Sequence, residues 1–333
     1  DKAIREGFAH LKEGKDYENL ADAAMCRAEA DWLVGINATR ALTCKYNAQL
    51  SCGRVQPPTL AMIAAREEKI RQFTPKPYWG LTARSENPSL VLTWQDERSG
   101  ENRSFLKEEM EARMKKLAGQ PGVVTEVRAT PKRVQPPLLY DLTELQREAS
   151  KRFDYSAKET LNIMQRLYEN HKVLTYPRTD SRYLSADILP TIKERLAACG
   201  VGPYKQLAGR LMNRPLPEKP FFVNDAKVTD HHAIIPTEEF VQLDHMTVDE
   251  RRIYDLVVRR FLAVLYPPCE YEQTSLKVSV AGEVFTARGK VMKSEGWQAV
   301  YRESGLGQEL LEEDEGDEAG NAAKIGPSAG QLP

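Results

Sequence analysis

Residues 141–181 read DLTELQREASKRFDYSAKETLNIMQRLYENHKVLTYPRTDS. Asp141 with Glu144 three residues on, and Ser156 with Glu159 three residues on, fit a capping box, in which side chains satisfy the unpaired N–H groups of a first helical turn. The spacing predicts helices over 142–153 and 157–169 joined by a short turn, with Val173-Leu174-Thr175-Tyr176 as a strand behind them. That order is a helix-turn-helix with a strand wing. A further helix is expected over Val248–Leu265.

Upstream, Tyr17 to Tyr46 is helical in pattern and leads through the turn Leu50-Ser51-Cys52-Gly53 to a second helix. That helix starts near Pro57-Pro58, because proline suits a first turn whose N–H would be unpaired anyway. Leu60, Ile63, Ala64, Ile70 and Phe73 recur at helical spacing and predict one buried face, and Pro75 and Pro77 close the helix. The period then changes. Tyr78–Arg84, Ser89–Gln95 and Val123–Arg128 are short, rich in β-branched and aromatic residues, and separated by polar turns. Leu276, Val278 and Val280 alternate with polar neighbours, and Val284–Val291 and Trp297–Tyr301 also read as strands. Two strand-rich stretches thus bracket a helical middle, and the simplest architecture inserts that middle into a loop of one β domain.

The composition, 41% apolar and 29% charged over 333 residues, is that of a soluble globular protein of two or three domains. No stretch approaches the roughly 20 apolar residues of a membrane span, and the N-terminal DKAIREGFAHLKEGK lacks the apolar run of a signal peptide. A start on Asp1 without Met and an end at Pro333 suggest a piece of a longer protein. Cys26, Cys44, Cys52, Cys199 and Cys269 form no C-x-x-C pair, so neither a zinc ribbon nor a disulfide framework is expected, and the compartment reads as reduced and cytoplasmic. The net charge is −1, yet Arg302 to Pro333 carries two basic residues against eight acidic ones, leaving the rest with an excess of five positive charges. Such an excess suits a binder that gathers its charge in a groove. The acidic run Glu312–Glu318 follows no apolar strand and reads as linker, not as a metal site.

Leu174-Thr175-Tyr176-Pro177-Arg178-Thr179-Asp180-Ser181 gathers a phenol, a guanidinium, hydroxyls and a carboxylate. In extended geometry Tyr176 and Arg178 point to one side. A phenol of pKa near ~10 needs a cation to attack a phosphate diester, and a guanidinium fork serves both the phenolate and the phosphate. Asp180 is expected to hold the arginine. By itself the octapeptide reads more readily as a packing tyrosine and a surface ion pair, and its companions shift the balance. Gly53, Arg54 and Gln56 precede a helix N-terminus, where phosphate is well received. Arg27 and Asp31 lie four apart on one helical face. Asp230-His231-His232-Ala233-Ile234-Ile235-Pro236-Thr237 holds two adjacent imidazoles with no further His or Cys at metal spacing, so zinc is not expected; such a pair is often structural, and a histidine donating to phosphate is the functional reading beside it.

Ala28-Glu29-Ala30-Asp31-Trp32-Leu33-Val34-Gly35, Ser51-Cys52-Gly53-Arg54-Val55-Gln56-Pro57, Thr175-Tyr176-Pro177-Arg178-Thr179-Asp180 and His231-His232-Ala233-Ile234-Ile235-Pro236-Thr237 stand in the order seen in the type IA DNA topoisomerases, with wording nearest the topoisomerase III branch. The resemblance covers residue 1 to about 301. It implies that Tyr176 becomes linked to a 5′-phosphate, that Arg178 positions the scissile phosphate, and that His231, or His232 one step away, contacts phosphate. Arg27, Asp31, Ser51, Arg54 and Gln56 resemble residues of the single-stranded DNA groove. Gln165 and Glu169 fall where the family supports its active site, and Thr179, Asp180 and His232 join them as DNA-binding candidates.

The resemblance also implies an α+β multidomain fold: a helical gate base over 1–75, a β-rich hinge arch over 76–135 and 268–301, a winged-helix-like tyrosine domain over 136–267, and an acidic linker over 302–333 returning to the gate base. Activity would be transient single-strand cleavage, strand passage and religation without ATP. The family's Toprim domain, which holds Mg2+, has no counterpart in these residues. No cofactor is expected in the chain itself, and single-strand binding without cleavage is expected of it alone. The implied partners are single-stranded DNA and a helicase, for a monomer at the nucleoid and not at a membrane. Two rivals stand beside this reading. A tyrosine recombinase would carry its nucleophile near the C-terminus after a His-x-x-Arg signature, which is absent; a non-catalytic helix-turn-helix DNA-binding module would leave Tyr176 structural.

Overall fold

The structure is a computed structural model that describes residues 2–86, 89–215, 220–302 and 323–324. The chain divides into two units, Asp1–Pro77 and Tyr78–Pro333. The first holds α1 (Lys2–Ala9), α2 (Glu18–Tyr46) and α3 (Gln56–Arg71). Pro57 and Pro58 occupy the first turn of α3, and Asn47 ends α2 in the left-handed region, at φ 47°. Thr39 Oγ1 accepts from the Cys52 N–H at 3.0 Å and Thr43 Oγ1 donates to the Leu50 carbonyl at 3.2 Å, which ties the 50–53 turn to α2. The buried face expected on α3 is not formed. Leu60, Ile63, Ile70 and Phe73 are 66, 55, 59 and 73% exposed, Ala64 is exposed as well, and no described residue of this unit is buried. Helices without a further layer packed on them leave such a face uncovered.

The second unit begins with an antiparallel sheet. Its strands are β1 (Thr82–Glu86), β2 (Ser89–Gln95), β3 (Gly122–Val134), β4 (Cys269–Val280) and β5 (Glu283–Ser294), in the order β1-β2-β5-β4-β3, with the short β6 (Ala323–Lys324) parallel to β5. A helix absent from the sequence expectations, α4 (Lys107–Leu117), packs on this sheet. Met110 of α4 clusters with Leu92, Trp94, Val278, Val280, Phe285 and Ala287.

Between β3 and β4 the chain builds a helical body: α5 (Leu142–Phe153), α6 (Ala157–Glu169), α7 (Ile192–Cys199), α8 (Lys205–Met212) and α9 (Val248–Leu265). Val134 and Cys269 are directly opposed in the β3/β4 ladder, so the body leaves and re-enters the sheet at neighbouring points. The side chains of Asp141 and Ser156 accept from the Glu144 and Glu159 N–H groups at 2.7 and 3.1 Å. The complete reciprocal box forms elsewhere, between Thr247 and Glu250 at the start of α9. Helix α9 is the centre of the body, with Ile253, Val257, Val258, Phe261 and Leu262 at 0% exposure.

The strand wing is not a sheet. It is reduced to the isolated bridges Tyr140↔Ile234, Leu174↔Pro236 and Leu184↔Val223, because Pro177 and Pro236 supply no N–H to extend a ladder. Trp297–Tyr301, expected as strand, is part of a 3-10 helix over Gly296–Tyr301. Trp297, Val300 and Tyr301 enter the core of the helical body, where the Trp297 Nε1–H donates to the Val134 carbonyl at 3.1 Å and Arg259 Nη1 to the Val300 carbonyl at 2.6 Å. The run Glu312–Glu318 lies outside the described residues. No described helix is long and apolar enough to cross a membrane.

Candidate active site

Tyr176 follows the Leu174↔Pro236 bridge and is half-buried. Its backbone is fixed by its neighbour. The Thr175 N–H donates to the Ile235 carbonyl at 3.0 Å, and Thr175 Oγ1 donates to the Ala233 carbonyl at 3.3 Å while accepting the Ile235 N–H at 3.0 Å. The phenol ring lies between two others. The exposed His231 stacks on it with centroids 4.3 Å apart and planes tilted by 38°, and Tyr168 of α6 meets it edge-on at 5.5 Å. An open recess of about 720 Å3 adjoins the tyrosine, lined by Tyr168, Glu169, Lys172, Thr237, Glu238 and Glu239 among others.

Arg178 is exposed and has no hydrogen-bond or ion-pair partner among the described residues. Asp180 does not hold it as expected, because its carboxylate accepts instead from Thr229 Oγ1 at 3.1 Å. Buried Thr179 donates to the His231 carbonyl at 2.8 Å, so the two motif segments are tied directly together. His232 is turned aside from this arrangement: its Nδ1 bonds the Ala233 carbonyl at 2.7 Å, and burial lowers the basicity of its ring. Gln165 and Glu169 bond each other at 2.6 Å on α6, one on each side of Tyr168. Helix α6 is itself fixed to α9. Glu250 of α9, 4% exposed, takes the Arg166 Nε–H at 2.8 Å. Burial opposes the charge on Glu250, yet bonds from Arg166 and Thr247 and the nearby His171 bring its pKa down to about 2.

The remaining candidates lie in the first unit. Arg54 Nε donates to Asp31 Oδ1, which lowers the Asp31 pKa, and Arg27 adds only a longer-range attraction. The ion-pair partner of Asp31 on α2 is thus Arg54 of the turn before α3, and not Arg27 four residues away on the same helix. Ser51 and Gln56 are exposed beside that turn. Two residues near the tyrosine escaped the sequence reading, Tyr168 and Lys172, and Thr175 was quoted in the motif without a role. Tyr168 was discernible as the aromatic beside Gln165 and Glu169 on one helix. Lys172 adopts φ 57°, and no residue pattern announces that. No three His, Cys, Asp or Glu side chains among the described residues come together as a metal site.

A family model described as DNA topoisomerase matches residues 15–328. The chain belongs to the type IA DNA topoisomerases. It is 56% identical over 301 residues to DNA topoisomerase 3 of Bacillus licheniformis, covering 90% of this chain and 41% of that protein. It is 54% identical over 318 residues to DNA topoisomerase 3 of Bacillus subtilis, covering 96% of this chain and 42% of that protein. The solved structure of full-length topoisomerase I from Thermotoga maritima shares the fold, with a TM-score of 0.64 at 24% identity over 90% of this chain and 48% of that one. The chain thus spans about two fifths of the length of the curated relatives it matches.

Proposed function

We propose that the chain supplies the nucleophile and phosphate-binding half of a topoisomerase III that cuts one strand of DNA, passes another through the gap and reseals it without ATP. The observation that carries this reading is the stack of His231 on Tyr176, with Arg178 exposed two residues on and unclaimed by any described side chain. Single-stranded DNA enters through its phosphates, the exposed Arg54, Ser51 and Gln56 of the first unit offering donors to the backbone. Asp31, paired with Arg54, and Arg27 one helical turn before it on α2 are assigned to the same groove.

At the cut, the Tyr176 oxygen forms a bond to phosphorus while the bond to the 3′-oxygen breaks, and the phenolic proton is balanced by the proton that the leaving 3′-hydroxyl gains. Arg178 presents its fork to the phosphate oxygens, where charge develops. His231, whose exposed ring stacks on the phenol, is the imidazole that donates to the same phosphate, whereas His232 is engaged with the Ala233 carbonyl. The 5′-phosphotyrosine keeps the energy of the broken bond, so attack by the 3′-hydroxyl reseals the strand. Gln165 and Glu169 hold the helix face that carries Tyr168, and Thr179 ties Arg178 to the His231 segment. The donor set described in this chain does not fit a Mg2+ site, so no step runs through the ion; the family's metal is assigned to acidic residues of a Toprim domain outside these residues. The protein acts as a cytoplasmic, nucleoid-associated monomer, with a helicase to supply single strands.

The test is covalent trapping on a labelled single-stranded oligonucleotide with the full-length protein. An SDS-stable adduct forms with wild type and is absent with Tyr176→Phe; an adduct that persists with Tyr176→Phe rejects the assignment of the nucleophile. The chain by itself is expected to bind the oligonucleotide and leave it uncut.

A further inference from the structure

We infer that Arg195 is a positioning residue for cleavage and resealing, acting on Tyr176 through the His231–Glu238 segment. The inference rests on the function proposed above. Arg195 stands on α7, is 6% exposed, and is engaged on all three nitrogens of its guanidinium. Its Nε donates to Thr191 Oγ1 at 2.8 Å, its Nη1 to the Pro236 carbonyl at 2.7 Å, and its Nη2 pairs with Glu238 Oε1 at 2.6 Å.

What it holds is the template on which the tyrosine is laid. Pro236 is the bridge partner of Leu174. The Thr237 N–H donates to the Val173 carbonyl at 3.1 Å and Thr237 Oγ1 to the Lys172 carbonyl at 2.6 Å, while Ile235 grips Thr175 through both its backbone groups. At the other end of the same segment, the His231 carbonyl receives Thr179 and the His231 ring stacks on the phenol. Residues 172–175 and the ring of His231 are thus registered against one short strand. That strand belongs to no sheet: its first residues are anchored by the Ala233 and Ile234 N–H groups, which donate to the Tyr183 and Tyr140 carbonyls at 2.9 Å, and its 236–238 end is held by Arg195. Pro236 contributes no N–H, and its carbonyl is taken by Arg195. Arg195 therefore sets how far the strand, and with it the tyrosine, sits from α7, although nothing places the guanidinium against the reacting atoms.

A displacement of the reacting oxygen by about 1 Å costs on the order of a hundredfold in rate, while binding through distant phosphate contacts is left alone. Arg195→Met has nearly the same length without a fork or a charge, and Arg195→Lys keeps the charge alone. In the full-length protein, single-turnover adduct formation should fall about tenfold to a hundredfold in Arg195→Met and by a smaller factor, about threefold to tenfold, in Arg195→Lys. Affinity for the single-stranded oligonucleotide should stay within about twofold of wild type in both. Tyr176→Phe, run alongside, separates the two ideas: an adduct from Tyr176→Phe sinks the nucleophile assignment, whereas no adduct from Tyr176→Phe combined with wild-type rates in the Arg195 variants sinks the positioning role alone. Equal losses of binding and rate would show a general structural role and also overturn the inference. Should Arg195→Met fail to fold by its thermal melt, Arg195→Lys decides, and a wild-type rate there refutes it.

Discussion

Arg178 and Arg195 lie in the same unit and do opposite things with the same group. Arg195 spends its donors on protein oxygens, so it fixes structure. Arg178 has spent none among the described residues, and an exposed guanidinium two residues from the proposed nucleophile is available to a phosphate. Its value over lysine is the fork, which meets two oxygens at once in fixed geometry. Arg178→Lys is therefore expected to lower single-turnover adduct formation by about tenfold to a hundredfold while changing oligonucleotide affinity little. A rate within twofold of wild type would mean that charge alone suffices there. At this scale Tyr176, Arg178 and the histidine pair were legible as candidates because their types and spacing suit that chemistry, and the fold brings Tyr176 and His231 together. The partner of Asp180 was not, since Thr229 lies 49 positions away in the chain and no local rule links them. The choice between His231 and His232 was equally closed to the sequence, because it turns on which ring faces the phenol and which folds back to Ala233.

Among elements, α5 and α6 were readable from their capping residues, Asp141 and Ser156, because a side-chain oxygen that replaces a missing carbonyl is a local device. The α2, α3 and α9 helices were read from their period, and the Thr247 cap of α9 was not anticipated. Elements made by tertiary contact were misread. Trp297–Tyr301 has the aromatic and β-branched content of a strand, yet it curls into a 3-10 helix because its large side chains are drawn into the core beside α9. Gly296 permits that turn. It sits at φ 52°, and a Cβ built on it would lie 2.2 Å from the Pro268 carbonyl oxygen and 2.5 Å from that of Pro267. Backbone, not a flexible side chain, would have to yield. Gly296→Ala should thus destabilise the second unit by at least about 2 kcal/mol in denaturant unfolding. Gly282, at φ 83° in the β4–β5 turn, offers the control: nothing lies within 4 Å of its Cβ position. Gly282→Ala should cost about 1 kcal/mol, from backbone strain alone. Equal costs at the two positions would show that the collision at Gly296 is relieved.

For the whole molecule, the division between the two units is also a division in how their stability arises. The second unit has a continuous apolar core running from Leu139 through α9 to Tyr301, plus a second cluster under α4. The first unit has three helices and no buried residue among those described. Trp32, Leu33, Leu60, Ile63 and Phe73 are half to three-quarters exposed. Helices of this length gain most of their stability from packing an apolar face, and a face left in water gives no cooperative transition. The helical period of α3 was legible in its sequence, but the period states only that a face exists and says nothing of what covers it. Residues 78–333 expressed alone should therefore keep near-ultraviolet circular dichroism and unfold in one sharp thermal step. Residues 1–77 alone should show helical signal that declines gradually on heating, and should bind a dye that reports exposed apolar surface. A sharp melt of 1–77, with an enthalpy near the roughly 0.7 kcal/mol per residue of ordinary globular proteins, would reveal a core in that unit and overturn the expectation.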